Sequence, residues 1–311
     1  MVHPRVSSDM YDPRRGDEAI RTQRLDLGNG PFEPARTNYF AVYLIQTGAG
    51  TLWADAACFS FAPGTLLFFV PYQHVRFAVD APLHGEIVQF HANFLCVETF
   101  HAEVGCSGVL FNDPYGAPAV ALDEQAKPEI IDLFERIRTE EARRDLAYRE
   151  AMLAHLKVLL ILATRLKSST AACGPGAHSP HPVLAELREL IERNYQASHS
   201  PADYAKRLHV TAKTLGRLVR EHLGTTPTEL IRNRLLIHAK WELLHTLKPI
   251  KEIAGELGFA DELYFSRFFK KATGQSPTFF RQFETEIRGG SNLSMFSGHA
   301  PIHPSAAPAD T

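Results

Sequence analysis

Several features that would classify a protein at once are scarce or missing in this sequence. It holds four cysteines in 311 residues, and no two of them form a Cys-x-x-Cys pair. A chain of this length builds its cores without disulfides, so we expect reduced thiols. No apolar run reaches the roughly 18 residues that a membrane-spanning helix needs, and the N-terminus lacks the apolar segment of a signal peptide. These absences predict a cytoplasmic protein with no membrane partner.

A large excess of positive or negative charge is also missing, because the formal net charge is only −2. The distribution is uneven, however. Residues 181–290 hold 17 Lys and Arg against 13 Asp and Glu, whereas the rest of the chain holds 16 against 22. This small asymmetry is typical of a nucleic-acid-binding end joined to an end with another task.

A segment near the C-terminus occurs twice. The first copy, PADYAKRLHVTAKTLGRLVREHLGTTP, begins at Pro201, and the second, PIKEIAGELGFADELYFSRFFKKATGQSP, begins at Pro249. The copies match at an offset of 49 in their first helix and 50 in their second, which leaves one residue of slack in the turn. A short helix, a tight turn and a second helix with Arg and Lys predict two helix-turn-helix units that bind double-stranded DNA.

The second helix of each unit is the predicted recognition helix, with an apolar stripe against the domain and polar side chains outward. Thr211 and Asp261 are placed to cap these helices. We expect a long connecting helix to hold them about 34 Å apart, one turn of DNA. Base edges are expected to meet Lys213, Thr214, Arg217, Glu262, Leu263, Tyr264 and Arg267. Phosphates are expected to meet Thr211, Arg220, Ser266, Lys270, Lys271 and Arg281.

Two positions in these helices leave a question open. Glu262 can accept a hydrogen bond from cytosine N4 or can serve as a helix cap. Gly216 lowers helix propensity by about 1 kcal/mol relative to alanine. Either the first unit binds less rigidly as a result, or the small residue allows close approach to the DNA backbone.

From Val183 to Arg288 the sequence resembles the AraC/XylS family of bacterial transcriptional regulators. The resemblance is carried by Arg234, Ala239, Leu243-Leu244, Ile253-Ala254, Gly258-Phe259, Tyr264-Phe265, Phe268, Lys270, Gly274, Pro277 and Arg281. It implies a protein that binds promoter DNA, often as a homodimer and often under control of a small-molecule effector held in an N-terminal barrel. RNA polymerase is a further partner in this interpretation. No catalytic residue and no cofactor are expected.

Six short β-rich runs separated by turn signals fill residues 39 to about 96, and two helical patterns follow them. We predict a two-domain α+β protein: a cupin-like antiparallel β-barrel with two helices, then an all-α double helix-turn-helix domain. The predicted segments are a flexible arm (1–37), the sensing and dimerisation domain (38–166), a linker (167–182), the DNA-binding domain (183–288) and a disordered tail (289–311).

Two roles are predicted for the N-terminal domain. An effector pocket inside the barrel would be lined by Tyr43, Trp53, Phe68, Tyr72 and His74, with Arg36 closing over it. A dimer seam would use surplus apolar residues of the second helix, Leu156, Leu160 and Ala163; the alternative is that these three belong to an intramolecular core.

Three other hypotheses remain. His91, Cys96, His101 and Cys106 are zinc-type ligands at five-residue intervals, which would suit a metal or redox sensor, although this is not a zinc-knuckle spacing. The simpler interpretation is that the two cysteines are small buried apolar residues. The barrel could also serve dimerisation alone in a ligand-independent regulator.

Overall fold

The N-terminal half of the chain forms two antiparallel sheets. In the computed structural model, which describes residues 9–55, 57–97, 109–111, 113, 115–173 and 181–289, the strands are β1 Ile20–Leu27, β2 Gly30–Phe32, β3 Phe40–Thr47, β4 Gly50–Ala54, β5 Ala57–Phe61, β6 Thr65–Phe69, β7 Val75–Val79, β8 Leu83–Phe90 and β9 Ala119–Ala121. One sheet has the order β1-β8-β3-β6-β9 and the other β2-β7-β4-β5.

The five-stranded sheet is buried on both faces. Along β3, Tyr43 and Ile45 belong to the apolar cluster shared with the four-stranded sheet. Val42 and Leu44 point the other way and belong to a second cluster, which packs against helices. Successive strand residues face opposite sides, so a continuous apolar run such as FAVYLI is what a strand between two layers requires.

Two helices cover the outer face of this sheet, α1 Ala126–Arg143 and α2 Tyr148–Cys173. The α1 residues Ile130, Leu133, Phe134 and Ile137 are buried at the predicted helical spacing. Leu156, Leu160 and Ala163 of α2 are also fully buried within the domain. The dimer seam predicted from these three residues is therefore wrong, because the stripe is needed to cover the sheet.

Two segment predictions also require correction. Within the supposed arm, β1 pairs with β8 from Ile20 opposite Phe90 to Leu27 opposite Leu83. Only Ile20 and Leu25 of this edge strand are buried, so its sequence alternates weakly and looks polar. Within the supposed linker, α2 continues to Cys173. Residues 174–180 of that linker and the tail beyond residue 289 lie outside the described residues.

The C-terminal domain is helical, as predicted. Its helices are α3 Pro182–Asn194, α4 Pro201–Arg207, α5 Ala212–Leu223, α6 Pro227–His245, α7 Ile250–Glu256, α8 Glu262–Thr273 and α9 Pro277–Ile287. Helices α4 and α5 form the first helix-turn-helix unit, α7 and α8 form the second, and α6 connects them. No helix in the described part of the chain is long and apolar enough to cross a membrane.

The turns of the two units have the same geometry but different residues. His209 and Gly258 both adopt left-handed φ angles, of 53° and 77°. The following amides, of Val210 and Phe259, donate to equivalent carbonyls at 3.0 and 2.9 Å. The extra residue of the second copy therefore lies after this turn, at Ala260. A Cβ at position 258 would collide with the carbonyl oxygen of Gln196, which explains the glycine there.

Candidate DNA-binding surface

Helices α5 and α8 expose the same positions to solvent. Leu215, Leu218 and Val219 are buried along α5. The residues fifty positions later in α8 are phenylalanines and are buried in the same way. Each helix is capped as predicted, because the Thr211 side chain accepts from the Thr214 amide and the Asp261 side chain accepts from the Tyr264 amide. The two units thus present structurally equivalent outer faces.

The outer face of α5 is basic but partly neutralised. Lys213, Arg217 and Arg220 are exposed, and Thr214 is partly exposed. Arg217 forms an ion pair with Glu221 one turn later, at 2.8 Å. A guanidinium held this way has to leave its carboxylate before it can bind another acceptor.

The outer face of α8 combines a carboxylate, two large apolar groups and a free guanidinium. Glu262 and Arg267 are exposed, and the side chains of Leu263 and Tyr264 are 72% and 53% exposed. Because Asp261 already caps the helix through the Tyr264 amide at 2.7 Å, Glu262 is not needed as a cap. Among the described residues no carboxylate pairs with Arg267.

The residues predicted to contact phosphates separate into two groups. Lys270 and Lys271 are exposed and Ser266 is partly exposed on α8, next to the basic end of that helix. Arg281 is different, because its Nε donates to the carbonyl of Leu243 at 3.1 Å and its Nη2 is enclosed. Burial lowers the pKa of this guanidinium. Arg281 therefore joins α9 to the end of α6, and the structure corrects its assignment as a phosphate contact.

The structure does not bring the predicted effector-pocket residues together. Tyr43 packs between the two sheets, whereas Phe68 lies on the opposite face of its sheet, under the helices. Tyr72 packs into the DNA-binding domain. The Arg76 guanidinium lies over Trp53, 5.4 Å from the centroid of the indole ring. His74 pairs with Glu33 near the surface at 2.7 Å.

The space between the sheets is filled by aromatic rings, with Tyr43 stacked on Phe77 at 6.0 Å and edge-on to Phe69 at 5.0 Å. An open cleft of about 440 Å³ lies elsewhere, between β5 and the C-terminal end of α5. Its lining includes Cys58, Tyr115 and Arg220, so residues of both domains border it.

The zinc-type set falls only partly within the described residues. His101 and Cys106 lie outside the described residues, Cys96 is a partly exposed free thiol, and His91 is buried at the domain interface. Within the described ranges, no three His, Cys, Asp or Glu side chains are close enough to hold a metal ion.

A buried polar cluster that no sequence pattern predicted joins the two domains. Glu284 of α9 is 2% exposed and accepts hydrogen bonds from the Tyr72 hydroxyl and from Arg288 at 3.2 Å. The His91 ring lies 3.5 Å from the same carboxylate. Burial alone would raise the pKa of Glu284, but His91, Arg288 and Tyr72 together lower it to about 2. One signal was available, because Glu284 stands on the apolar face that Phe280, Phe283 and Ile287 define.

The N-terminal domain also binds the C-terminal ends of both recognition helices. The Cys58 amide, on edge strand β5, donates to the Gly224 carbonyl at 3.0 Å. Arg36 donates to the Ala272 carbonyl of α8 at 3.2 Å, where a cation also complements the helix dipole. Arg36 thus contacts the DNA-binding domain instead of closing the barrel. Lys240 of the connecting helix α6 donates to the Pro71 carbonyl at 2.8 Å. The N-terminal domain therefore contacts both recognition helices and the helix that connects them.

Comparison with known proteins supports the assignment of this domain. A family model described as a helix-turn-helix domain matches residues 204–282, which cover most of both units. The chain is 25% identical over 247 residues to the arabinose operon regulatory protein of Escherichia coli, covering 78% of this chain and 80% of that protein. It is 24% identical to the activator RhaR of an Enterobacter species, over 55% of this chain and 60% of that protein.

Other matches are shorter or more distant. The chain is 30% identical to the uncharacterised regulator YfiF of Bacillus subtilis, and the match spans about half of each protein, 48%. Among solved structures, ToxT from Vibrio cholerae aligns with 85% of this chain and 98% of its own at 14% identity and a TM-score of 0.37. An AraC-type regulator from Chromobacterium violaceum aligns with 32% of this chain and 90% of its own at 30% identity and a TM-score of 0.30.

Proposed function

Because the chain belongs to the AraC/XylS family of transcriptional regulators, we propose that it binds a specific promoter sequence through both of its helix-turn-helix units. The observation that carries this proposal is the equivalence of α5 and α8, which bury and expose corresponding positions that lie fifty residues apart. Two equivalent outer faces on one rigid connector suit two successive major grooves on one side of a duplex.

In this proposal the first turns of the two helices meet base edges. Lys213, Thr214 and Arg217 act in the first groove, and Glu262, Leu263, Tyr264 and Arg267 act in the second. The phosphate contacts are Thr211, Arg220, Ser266, Lys270 and Lys271, which are exposed or partly exposed on the two helices. Phosphate contacts set the position of the protein and base contacts set the sequence.

We further propose that signals reach the DNA-binding domain through the domain interface. The contacts of Glu284, Arg36 and Cys58 tie the N-terminal domain to α9, α8 and α5. A change in how these domains dock would change how the recognition helices are held. A small-molecule effector would act most directly from the cleft beside Cys58 and Arg220, because both domains border it. The alternative is a ligand-independent regulator in which this docking is permanent.

A homodimer is part of the same proposal, with the contact moved to the outward face of α2. Val158 is 41% exposed there, and Ala154 and Ile161 lie on the same side at helical spacing, with Ile161 only partly buried. Ala154 and Val158 take no part in the buried stripe that covers the sheet, whereas Ile161 also packs against it. Contact with RNA polymerase would follow binding at a promoter in the cytoplasm.

The test is selection of bound sites from randomised double-stranded DNA by the full-length protein at physiological salt. We expect a site with two motifs about one helical turn apart, and a second copy of that site if the protein binds as a dimer. A single unrepeated site would remove the dimer. No enrichment, both alone and with candidate effectors, would overturn sequence-specific binding.

A further inference from the structure

The two recognition helices have the same geometry but different chemistry at one exposed position in the first turn. Position 213 of α5 is lysine, and the equivalent position 263 of α8 is leucine. We propose that Leu263 reads the C5-methyl group of a thymine in the major groove, so that the second unit selects a thymine where the first unit does not. This inference rests on the proposed DNA-binding function and names the base that one residue reads.

The exposure of Leu263 supports an apolar contact. Its side chain is 72% exposed, and the adjacent Tyr264 is 53% exposed; together they account for two of the five large hydrophobic side chains exposed in the described chain. Single exposed leucines are common on protein surfaces. Leu263 and Tyr264, adjacent in the first turn of a recognition helix, instead form an apolar patch at the point where such helices approach base edges.

The chemistry of the major groove then identifies the partner. Among the groups that base pairs present in the major groove, the thymine methyl is the apolar one, and the others that distinguish base pairs are hydrogen-bond donors and acceptors. A leucine makes no hydrogen bond, so it discriminates through that methyl. Lys213, in contrast, is a donor and suits the O6 and N7 acceptors of guanine or a phosphate oxygen.

Neighbouring residues leave this patch free for DNA. The Asp261 side chain satisfies the Tyr264 amide at 2.7 Å, so the helix start is complete without either exposed side chain. The Tyr264 ring lies against Phe259 at 5.6 Å between centroids, which limits its movement beside Leu263. The patch is thus held on a capped, rigid turn.

Deoxyuridine differs from thymidine at a base only by the missing methyl, and it therefore tests the contact directly. With the site recovered by selection, each thymine is replaced in turn by deoxyuridine and binding by the full-length protein is measured. We expect one replacement, in the half contacted by α8, to weaken binding by about threefold to tenfold. The same replacement should have no effect on the Leu263→Ala variant.

Two further variants separate the contact from general effects. Leu146→Ala removes another fully exposed leucine, in the turn between α1 and α2, and should keep the full deoxyuridine effect. Leu263→Lys gives α8 the residue that α5 carries, and repeated selection should lose the thymine and gain guanine at that position. Folding of each variant is checked by its unfolding midpoint.

The outcomes distinguish this inference from the function on which it rests. If a site is selected but no deoxyuridine replacement weakens binding, or if Leu263→Ala retains the effect, then Leu263 does not read a methyl and the regulator proposal stands. If no site is selected at all, both proposals fail together.

Discussion

The hydroxyl of Tyr72 donates a hydrogen bond to the buried carboxylate of Glu284, 212 positions later in the chain. Tyr72 lies in the turn after β6 and Glu284 in the last described helix, so this bond joins the two domains. Burial and the Glu284 charge raise the pKa of Tyr72 well above its usual value, which keeps the phenol protonated as the donor. Phe280 packs edge-on against the same ring at 5.0 Å.

Removing the Tyr72 hydroxyl should destabilise the folded protein. We expect Tyr72→Phe to lower the free energy of unfolding by about 1–3 kcal/mol, because a buried carboxylate loses a partner that water cannot replace. Chemical denaturation followed by fluorescence measures this change. Tyr264→Phe is the matched control, since that hydroxyl belongs to an exposed ring, and it should be neutral within about 0.5 kcal/mol. Equal effects of the two substitutions would argue against the interdomain bond.

The same interface should be sensitive to acid. The pKa of Glu284 is lowered from 4.5 to about 2 in the folded protein, so its contribution to stability is present above pH 4.5 and is lost as the pH falls towards 2. In Glu284→Gln this part of the pH dependence should disappear. Unfolding free energies measured between pH 6 and pH 3 compare the two proteins, and parallel curves would contradict the assigned charge state.

The equivalent arginines of the two recognition helices should contribute unequally to DNA binding. Arg267→Ala should cost about 1–3 kcal/mol of specific binding, while Arg217→Ala should cost less, because Arg217 must first leave Glu221. Glu221→Gln should then strengthen binding slightly. Titration against the selected site measures specific binding, and titration against random DNA measures non-specific binding. Equal losses on the two DNAs would indicate phosphate contacts at these positions.

Two glycines should respond in opposite ways to alanine. At Gly216, in the middle of α5, no atom lies within 4 Å of an added Cβ, so Gly216→Ala should stabilise the protein by roughly 0.5–1 kcal/mol through helix propensity. At Gly258 the added Cβ meets the Gln196 carbonyl at a φ of 77°, and Gly258→Ala should destabilise by more than that. Thermal unfolding of both variants provides the comparison; stabilisation at position 258 would mean that the turn is not packed as described.

The C-terminal domain was predictable from the amino-acid sequence alone. The repeat placed both helix-turn-helix units, the capping residues Thr211 and Asp261 placed the starts of the recognition helices, and the buried and exposed positions of α5 and α8 followed from helical spacing. These features depend on residues within a few positions of each other, and such local rules are readable without a structure. The six strands from β3 to β8 were also predicted, from short β-rich runs and turn signals.

The effector-pocket residues, strand β1 and the domain interface depended on contacts between distant parts of the chain. Tyr43 and Phe68 both look like barrel-lining aromatics, but the pleat sends them to opposite faces of one sheet, and only strand pairing sets that parity. Strand β1, whose apolar residues alternate only weakly, is stabilised as a strand because it pairs with β8 along its whole length. Glu284 was placed beside Tyr72 and His91 by the docking of two domains. A local sequence pattern carries no information on a contact between such distant residues. The contact forms only when the two domains are folded and packed together.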